Sequence, residues 1–383
     1  MKTIFKNGNL VTPYQILPDH TLVIQGNKIE AILAQPPEVE PGDTVVDAGG
    51  KWVTPGFIDI HVHGALGVDT MHGSEAALHK IARFCASHGV TSYLPTTWAA
   101  SAEKILAALN AVAKASQPSD GARHLGVHIE GPYINPKYRG AQRAEVIRKP
   151  DQSEYEAWLA TGVARLITVA PEIEGADRFI DRMIQNRVEI SIGHSGAGYA
   201  EVIQAADRGV CHVTHLFNGM AGFHHRDPGI LGACLSDDRL YAQIIPDGVH
   251  LHPAVVKTTI RAKSSARVIL ITDAICGTAM PDGHYEFDGQ KIYVNQGVAR
   301  TPEGGLSGST LTMDVGVRNT MNFTGLPFNE VLPMATAVPA EAIGLGGQKG
   351  VIKPGADADI LLLDATFDVQ MTIIAGQIVF EKK

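Results

Sequence analysis

The sequence predicts a (β/α)8 barrel carrying a small β-sandwich built from both chain ends. Three observations predict it. Between Thr54-Pro55-Gly56 and Asp273, eight β-like apolar runs alternate with helix-length segments, a pattern that closes a parallel sheet into a barrel. The two chain ends instead carry short β-prone runs broken by tight turns, and neither end alone could bury a core. The length of 383 residues fits one large α/β unit with a small companion.

The elements follow in order. Asn7-Gly8 separates residues 3–6 from 9–11, and Gly26-Asn27 separates 21–25 from 28–33; both read as hairpin signals. The barrel runs are 57–63, 90–94, 124–130, 165–170, 188–194, 210–215, 241–247 and 268–273. Residues 74–88 illustrate the helices between them. Ser74 can cap, Leu78, Ile81, Phe84 and Cys85 form an apolar stripe, and Gly89 stops it. After the eighth run, 284–294 with Asp288-Gly289 reads as an inserted hairpin, 304–309 as a loop, and 311–322 and 329–337 as helical. Residues 358–364, 371–374 and 377–381, with Ala375-Gly376 as a turn, return to strands. The division expected is 1–54 with 347–383 for the small unit and 55–346 for the barrel. A doubly wound sheet is the alternative; eight consecutive units favour closure.

Composition narrows the function. Lys and Arg total 32 against 40 Asp and Glu, a net charge of −8, which argues against a nucleic-acid partner. The four cysteines, Cys85, Cys211, Cys234 and Cys276, show no CxxC spacing, so a zinc ribbon and a redox dithiol are disfavoured. Sparse buried thiols, no secretory h-region at the N-terminus and no membrane-length apolar run lead to the expectation of a cytoplasmic protein with no membrane partner.

The chemistry sits where strands end. His61 and His63 end the first run, Glu130 the third, His194 the fifth, His215 the sixth and Asp273 the eighth. A barrel places its active site at the C-terminal ends of its strands, and residues two apart on a strand share a face, so His61 and His63 project together. All these side chains ligate metals or carry protons. One strand-end histidine means little, whereas six such groups at five strand ends read as a metal centre. His79 and His88 lie on a surface helix and read as inert. His212 alternates away from His215 and is expected to pack behind its strand.

The segment Gly56-Phe57-Ile58-Asp59-Ile60-His61-Val62-His63-Gly64 resembles the first-strand signature of the amidohydrolase superfamily. His128-Ile129-Glu130-Gly131-Pro132, Gly193-His194-Ser195, Thr214-His215-Leu216-Phe217-Asn218-Gly219-Met220, Asp247-Gly248-Val249-His250, Thr272-Asp273-Ala274 and Leu306-Ser307-Gly308-Ser309 narrow the resemblance to the N-acetylglucosamine-6-phosphate deacetylase family, from end to end. The resemblance implies that Glu130, His194 and His215 hold a divalent metal, Zn²⁺ or Fe²⁺, with an open position for water. It implies that Asp273 is the catalytic acid–base group, and that a second metal could lie among His61, His63, Glu130 and Asp273, giving one or two metals per subunit. For the substrate it implies contacts from Ala141, Gln142, Asn218, Gly219, Asp247, His250, Leu306, Ser307 and Gly308. Arg226 matches a phosphate-binding arginine that reaches the neighbouring subunit's site, so a homodimer is expected. The sequence departs from better-known relatives at Gly140-Ala141-Gln142, where they carry a histidine that polarises the carbonyl. Glutamine carries no positive charge, so polarisation is expected to lean on the metals, with Arg143 either assisting or merely solvated.

Other readings compete. The galacto epimer of the same sugar phosphate, or a cyclic imide, are alternative substrates. Dihydroorotase-like chemistry bridges two metals with a modified lysine, whereas the bridging position here is Glu130. A scaffold without metals is argued against by the complete ligand set.

Overall fold

The computed structural model describes residues 1–382 apart from Asp288 and Gly289. The expected (β/α)8 barrel is present. Its strands are Phe57–Val62, Val90–Thr97, Val127–Glu130, Ala164–Val169, Glu189–Ile192, His212–Val213, Tyr241–Ile244 and Val268–Leu270. Each pairs in parallel with the next. The eighth returns to the first: the Asp273 N–H donates to the His61 carbonyl at 2.9 Å and the His63 N–H to the Ala274 carbonyl at 2.8 Å. These bonds close the ring, which an open doubly wound sheet would not do.

One helix follows each strand: Glu75–Ser87, Ala102–Lys114, Gln152–Ala160, Ala176–Gln185, Tyr199–Arg208, Gly229–Ser236, Pro253–Lys263 and Met313–Thr324. The first begins where Ser74 Oγ accepts from the Ala77 N–H at 3.3 Å and buries Leu78, Ile81 and Cys85. The helices pack their apolar faces on the strands in one continuous core that includes Trp158, Phe179, Ile167 and Ile190. Each such large side chain contributes about 1.5–3 kcal/mol by leaving water. A second cluster fills the N-terminal end of the barrel: Ile58, Ile60, Leu166, Tyr241 and Ile269 meet Val338, Ala342 and Ile343. The expected helix over 329–337 is instead helix Phe328–Val331, a 3-10 turn over Leu332–Ala335 and helix Ala337–Ala342. Pro333 lacks the N–H that would continue the first of these.

The chain ends form one eight-stranded sheet. Trp52–Pro55, from the N-terminal segment, pairs antiparallel with Ile360–Leu363 from the C-terminal one. Asn7-Gly8 is not a hairpin turn but lies inside one strand, Lys2–Val11, where the register shifts around Gly8. Thr3–Lys6 pair with Thr44–Asp47, while Asn9 and Leu10 pair with Trp52 and Val53. Asn7 takes a left-handed φ of 58° there, the mark of a bulge that bends the strand. The bent sheet wraps its own core of Phe5, Leu10, Leu22, Val53, Ile360 and Ile373. The inserted hairpin has arms Gly283–Phe287 and Gln290–Asn295; its expected turn, Asp288-Gly289, lies outside the described residues. Among the described residues no helix is long and apolar enough to cross a membrane.

Candidate metal centre

Six side chains from five strands converge at the C-terminal mouth. Glu130 is the last residue of its strand, and His194, His215 and Asp273 lie just beyond theirs. Those three take left-handed backbone angles, with φ of 48°, 29° and 51°. Such a conformation costs a non-glycine residue about 1–2 kcal/mol and turns each side chain inward as its strand ends. A bulge between Asp59 and Val62 does the same for the first strand. Ile58 and Ile60 face the barrel plug, and His61 and His63 nevertheless reach the mouth together.

The ligand-type atoms form two adjoining groups. Glu130 Oε1 lies 3.2 Å from both His194 Nε2 and His215 Nε2, which are 3.1 Å apart. His61 Nε2 and His63 Nε2 are 3.1 Å apart, and each is 3.3 Å from Asp273 Oδ1. Glu130 joins the groups, with Oε1 3.4 Å from His61 Nε2 and Oε2 3.5 Å from His63 Nε2. All six residues are buried.

The donor chemistry fits a metal. His194 Nδ1 donates to the Tyr138 carbonyl and His215 Nδ1 to the Asn218 carbonyl, both at 3.0 Å. Each neutral ring then points a bare Nε2 lone pair at Glu130, so three acceptors face one another and only a cation satisfies them. A tetrahedral ion with bonds of about 2.0–2.1 Å sets its ligand atoms about 3.3 Å apart, close to the spacing of both groups. His61 and His63 differ behind the ring: their Nδ1 atoms have no hydrogen-bond partner among the described residues.

The imidazoles and carboxylates of the cluster shift one another's protonation. Burial disfavours charge on His63, but hydrogen bonds to Asp273 and Glu130 overrule it and lift its pKa to about 9. Burial wins at its neighbour His61, pulled down to about 4. Burial also opposes charge on His194, yet Glu130 raises it. Glu130 and Asp273 are pushed up by burial and pulled down further by the imidazoles, so both carboxylates are held below their usual range. His128 lies edge-on to His61 at 4.5 Å, and burial keeps it neutral.

A cavity of about 320 Å³ opens above the cluster, lined by Glu130, Ala141, Gln142, His194, His215, Asn218, Gly219, His250, Asp273, Leu306 and Gly308. Trp98, Gly140, Thr301 and Gly305 also line it and were not anticipated. Trp98 had a signal in hindsight, because it follows a strand end, and its ring stacks on His63 at 4.0 Å. Thr301 and Gly305 come from the inserted segment, which no barrel pattern locates. Asp247, Ser307 and Arg226 do not line this cavity. Asp247 accepts from His250 Nδ1 and from the His250 backbone N–H, both at 2.7 Å, so it holds the histidine that faces the cavity. Arg226 lines a separate surface hollow with Gly198, Tyr199 and Pro228. Gly219 and Gly308 both need their glycine. At Gly219, φ +62°, a Cβ would come 2.9 Å from His194 Nδ1; at Gly308, φ +52°, it would come 2.4 Å from Ile275 Cγ2. His212, expected to pack behind its strand, instead donates from Nε2 to the Ala342 carbonyl at 2.9 Å in the barrel plug.

Residues 52–379 match the profile of the amidohydrolase family. The chain is 38% identical over 381 residues to the N-acetylgalactosamine-6-phosphate deacetylase of Escherichia coli O157:H7, covering 99% of each. It is 35% identical over 387 residues to the N-acetylglucosamine-6-phosphate deacetylase of Bacillus subtilis strain 168, covering 99% of this chain and 98% of the other. The crystal structure of N-acetylglucosamine-6-phosphate deacetylase from Pasteurella multocida superposes with a TM-score of 0.94 at 30% identity, covering both chains fully.

Proposed function

The chain belongs to the amidohydrolase family, and on that premise we propose that it hydrolyses N-acetylglucosamine 6-phosphate to glucosamine 6-phosphate and acetate. The observation that carries the reading is the pair of histidine–carboxylate groups sharing Glu130 at the floor of a sugar-sized cavity, in a chain whose full-length relatives are amino-sugar-phosphate deacetylases.

In this reading Glu130, His194 and His215 hold one divalent metal, and His61, His63 and Asp273, with Glu130, hold a second. Zinc suits nitrogen and oxygen donors in this spacing, with iron the alternative. Bound there, a divalent metal supplies Lewis acidity, acidifying a water and polarising an amide carbonyl. Asp273, kept ionised by His61 and His63, accepts the proton of the attacking water. It returns that proton to the amine nitrogen as the C–N bond breaks. His250, fixed through Nδ1 by Asp247, presents Nε2 to the sugar, with Ala141, Asn218, Gly219, Leu306 and Gly308 shaping its binding and the buried Ser307 supporting the last two from behind the wall. The phosphate goes to Arg226. That guanidinium lies outside its own chain's cavity, which supports the arrangement the resemblance implies, a homodimer in which Arg226 serves the neighbouring site. A phosphorylated sugar and four free cysteines support a cytoplasmic setting. Residues 1–54 with 347–383 act as the supporting unit and 55–346 as the catalytic one.

The galacto epimer is the second reading, favoured by the E. coli relative. The test is amine release from both epimers by metal-stripped protein, with and without Zn²⁺. Metal-dependent turnover of the gluco substrate supports the first reading, and a preference for the galacto one transfers the assignment. Hydrolysis of a cyclic imide with neither sugar turned over overturns both.

A further inference from the structure

Gln142 lines the cavity, and its amide is engaged by two protein partners. Its Oε1 accepts from the Ala99 backbone N–H at 2.9 Å, and its Nε2 donates to Glu130 Oε2 at 2.6 Å. The orientation of the amide follows from its partners. A backbone N–H can only donate and an ionised carboxylate can only accept, so the reverse arrangement would place two mismatched pairs in a buried site. Gln142 is 2% exposed, and both ends of its amide are used. One of the two Nε2–H donors is thereby spent on Glu130 and not on a substrate.

The consequence falls on Glu130. The bond from Gln142 to Oε2 opposes rotation of the carboxylate about its terminal bond, and Oε1 lies within 3.2–3.4 Å of the Nε2 atoms of His194, His215 and His61. That oxygen is the one point common to both ligand groups. We propose that Gln142 is a positioning residue that holds Glu130 between the two groups of ligand-type side chains, and that its main effect is on how those groups would hold metal and not on substrate binding. The brace is anchored in the loop that follows the second strand, through Ala99. It therefore ties the geometry of the metal centre to the backbone rather than to another mobile side chain. Partners of this kind behind a ligating group set metal affinity by about 10–100-fold.

The inference rests on the reading of the mouth as a metal centre, and the experiment separates the two. Zn²⁺ affinity and stoichiometry are measured by competition with a chromogenic chelator for the wild type, Gln142→Met and Gln142→Glu. The melting temperature of each metal-free protein is recorded alongside. Gln142→Met keeps the length of the side chain and removes both hydrogen bonds. Gln142→Glu keeps an acceptor for Ala99 and removes the donor to Glu130. The expected result is a loss of about 10–100-fold in metal affinity in both variants, with the metal-free folds intact and KM for the sugar phosphate changed little once metal is saturating. Wild-type affinity in both variants together with a raised KM would overturn the proposal, by moving Gln142 onto the substrate. Unfolding of both metal-free variants would also overturn it, by making Gln142 a brace of the loop alone. Failure of the wild type to bind metal stoichiometrically would instead sink the metal-centre reading.

Discussion

Asp273 touches both His61 and His63 at 3.3 Å, and the proposed function gives it the proton transfer. Asp273→Asn keeps the shape and removes the basic oxygen. Turnover should fall by about 10²–10⁴-fold, while metal at Glu130, His194 and His215 is retained; a variant within a few-fold of the wild type in kcat would remove Asp273 from the proton path. Gly219→Ala tests the opposite side of the centre. The new Cβ would sit 2.9 Å from His194 Nδ1 at a φ of +62°, which costs about 1–2 kcal/mol in backbone strain alone. It would also push His194 off the Tyr138 carbonyl, so chelator competition should report weaker metal binding. At this scale the sequence carried the identities well. His61, His63, Glu130, His194, His215 and Asp273 stood at run ends, and five of those ends meet in space. It did not carry directions. That His194, His215 and Asp273 turn inward through left-handed backbone, and that Gln142 hydrogen-bonds Glu130 from the cavity wall, depend on packing that no spacing encodes.

At the scale of elements, strand cores were legible and their limits were not. The run 210–215 yields only His212–Val213 as strand, because the chain leaves the sheet to aim His215. Asn7-Gly8 carries the composition of a hairpin and instead makes a bulge, since both flanking halves find partners on one side of the sheet. His88, read as inert, joins two elements. It lies 3.1 Å from Asp314 in the first turn of helix Met313–Thr324, where Arg318 adds a second contact at 3.0 Å. Burial would raise the Asp314 pKa, but His88 and Arg318 hold it down to about 2. A carboxylate depressed in the folded state contributes stability above its unfolded pKa of about 3.9 and loses it as pH falls through the folded value. Asp314→Asn should therefore cost about 2.5 kcal/mol at pH 7, at about 1.4 kcal/mol per pKa unit. In urea unfolding the gap to the wild type should narrow only as pH drops from about 4 toward 2. A gap that stays constant from about pH 4 to 2 would remove the Asp314 charge from the effect.

For the whole molecule, the alternation of runs was enough for a closed barrel, and the resemblance of the two ends was enough to join them in one sheet. Assembly is a different matter, because a surface arginine does not say whose cavity it serves. Arg226 lies on an exposed loop with its guanidinium 2.7 Å from His225 Nε2, in a hollow apart from its own chain's active-site cavity. If it completes a neighbour's site, each active site combines Asp273 of one protomer with Arg226 of the other. Asp273→Asn and Arg226→Ala homodimers should then both be impaired, the first in kcat and the second chiefly in KM for the phosphorylated sugar. Mixing them after dissociation and reassociation gives mixed dimers in which one site carries both lesions and the other neither. Random exchange makes about half of the dimers mixed, so activity should recover to about a quarter of the wild-type level. An Arg226 acting within its own chain predicts no recovery above the sum of the two parents, because every site would then hold one lesion. The measurement needs only the two purified variants, an exchange step and the amine-release assay at a substrate concentration below the KM of the Arg226→Ala protein.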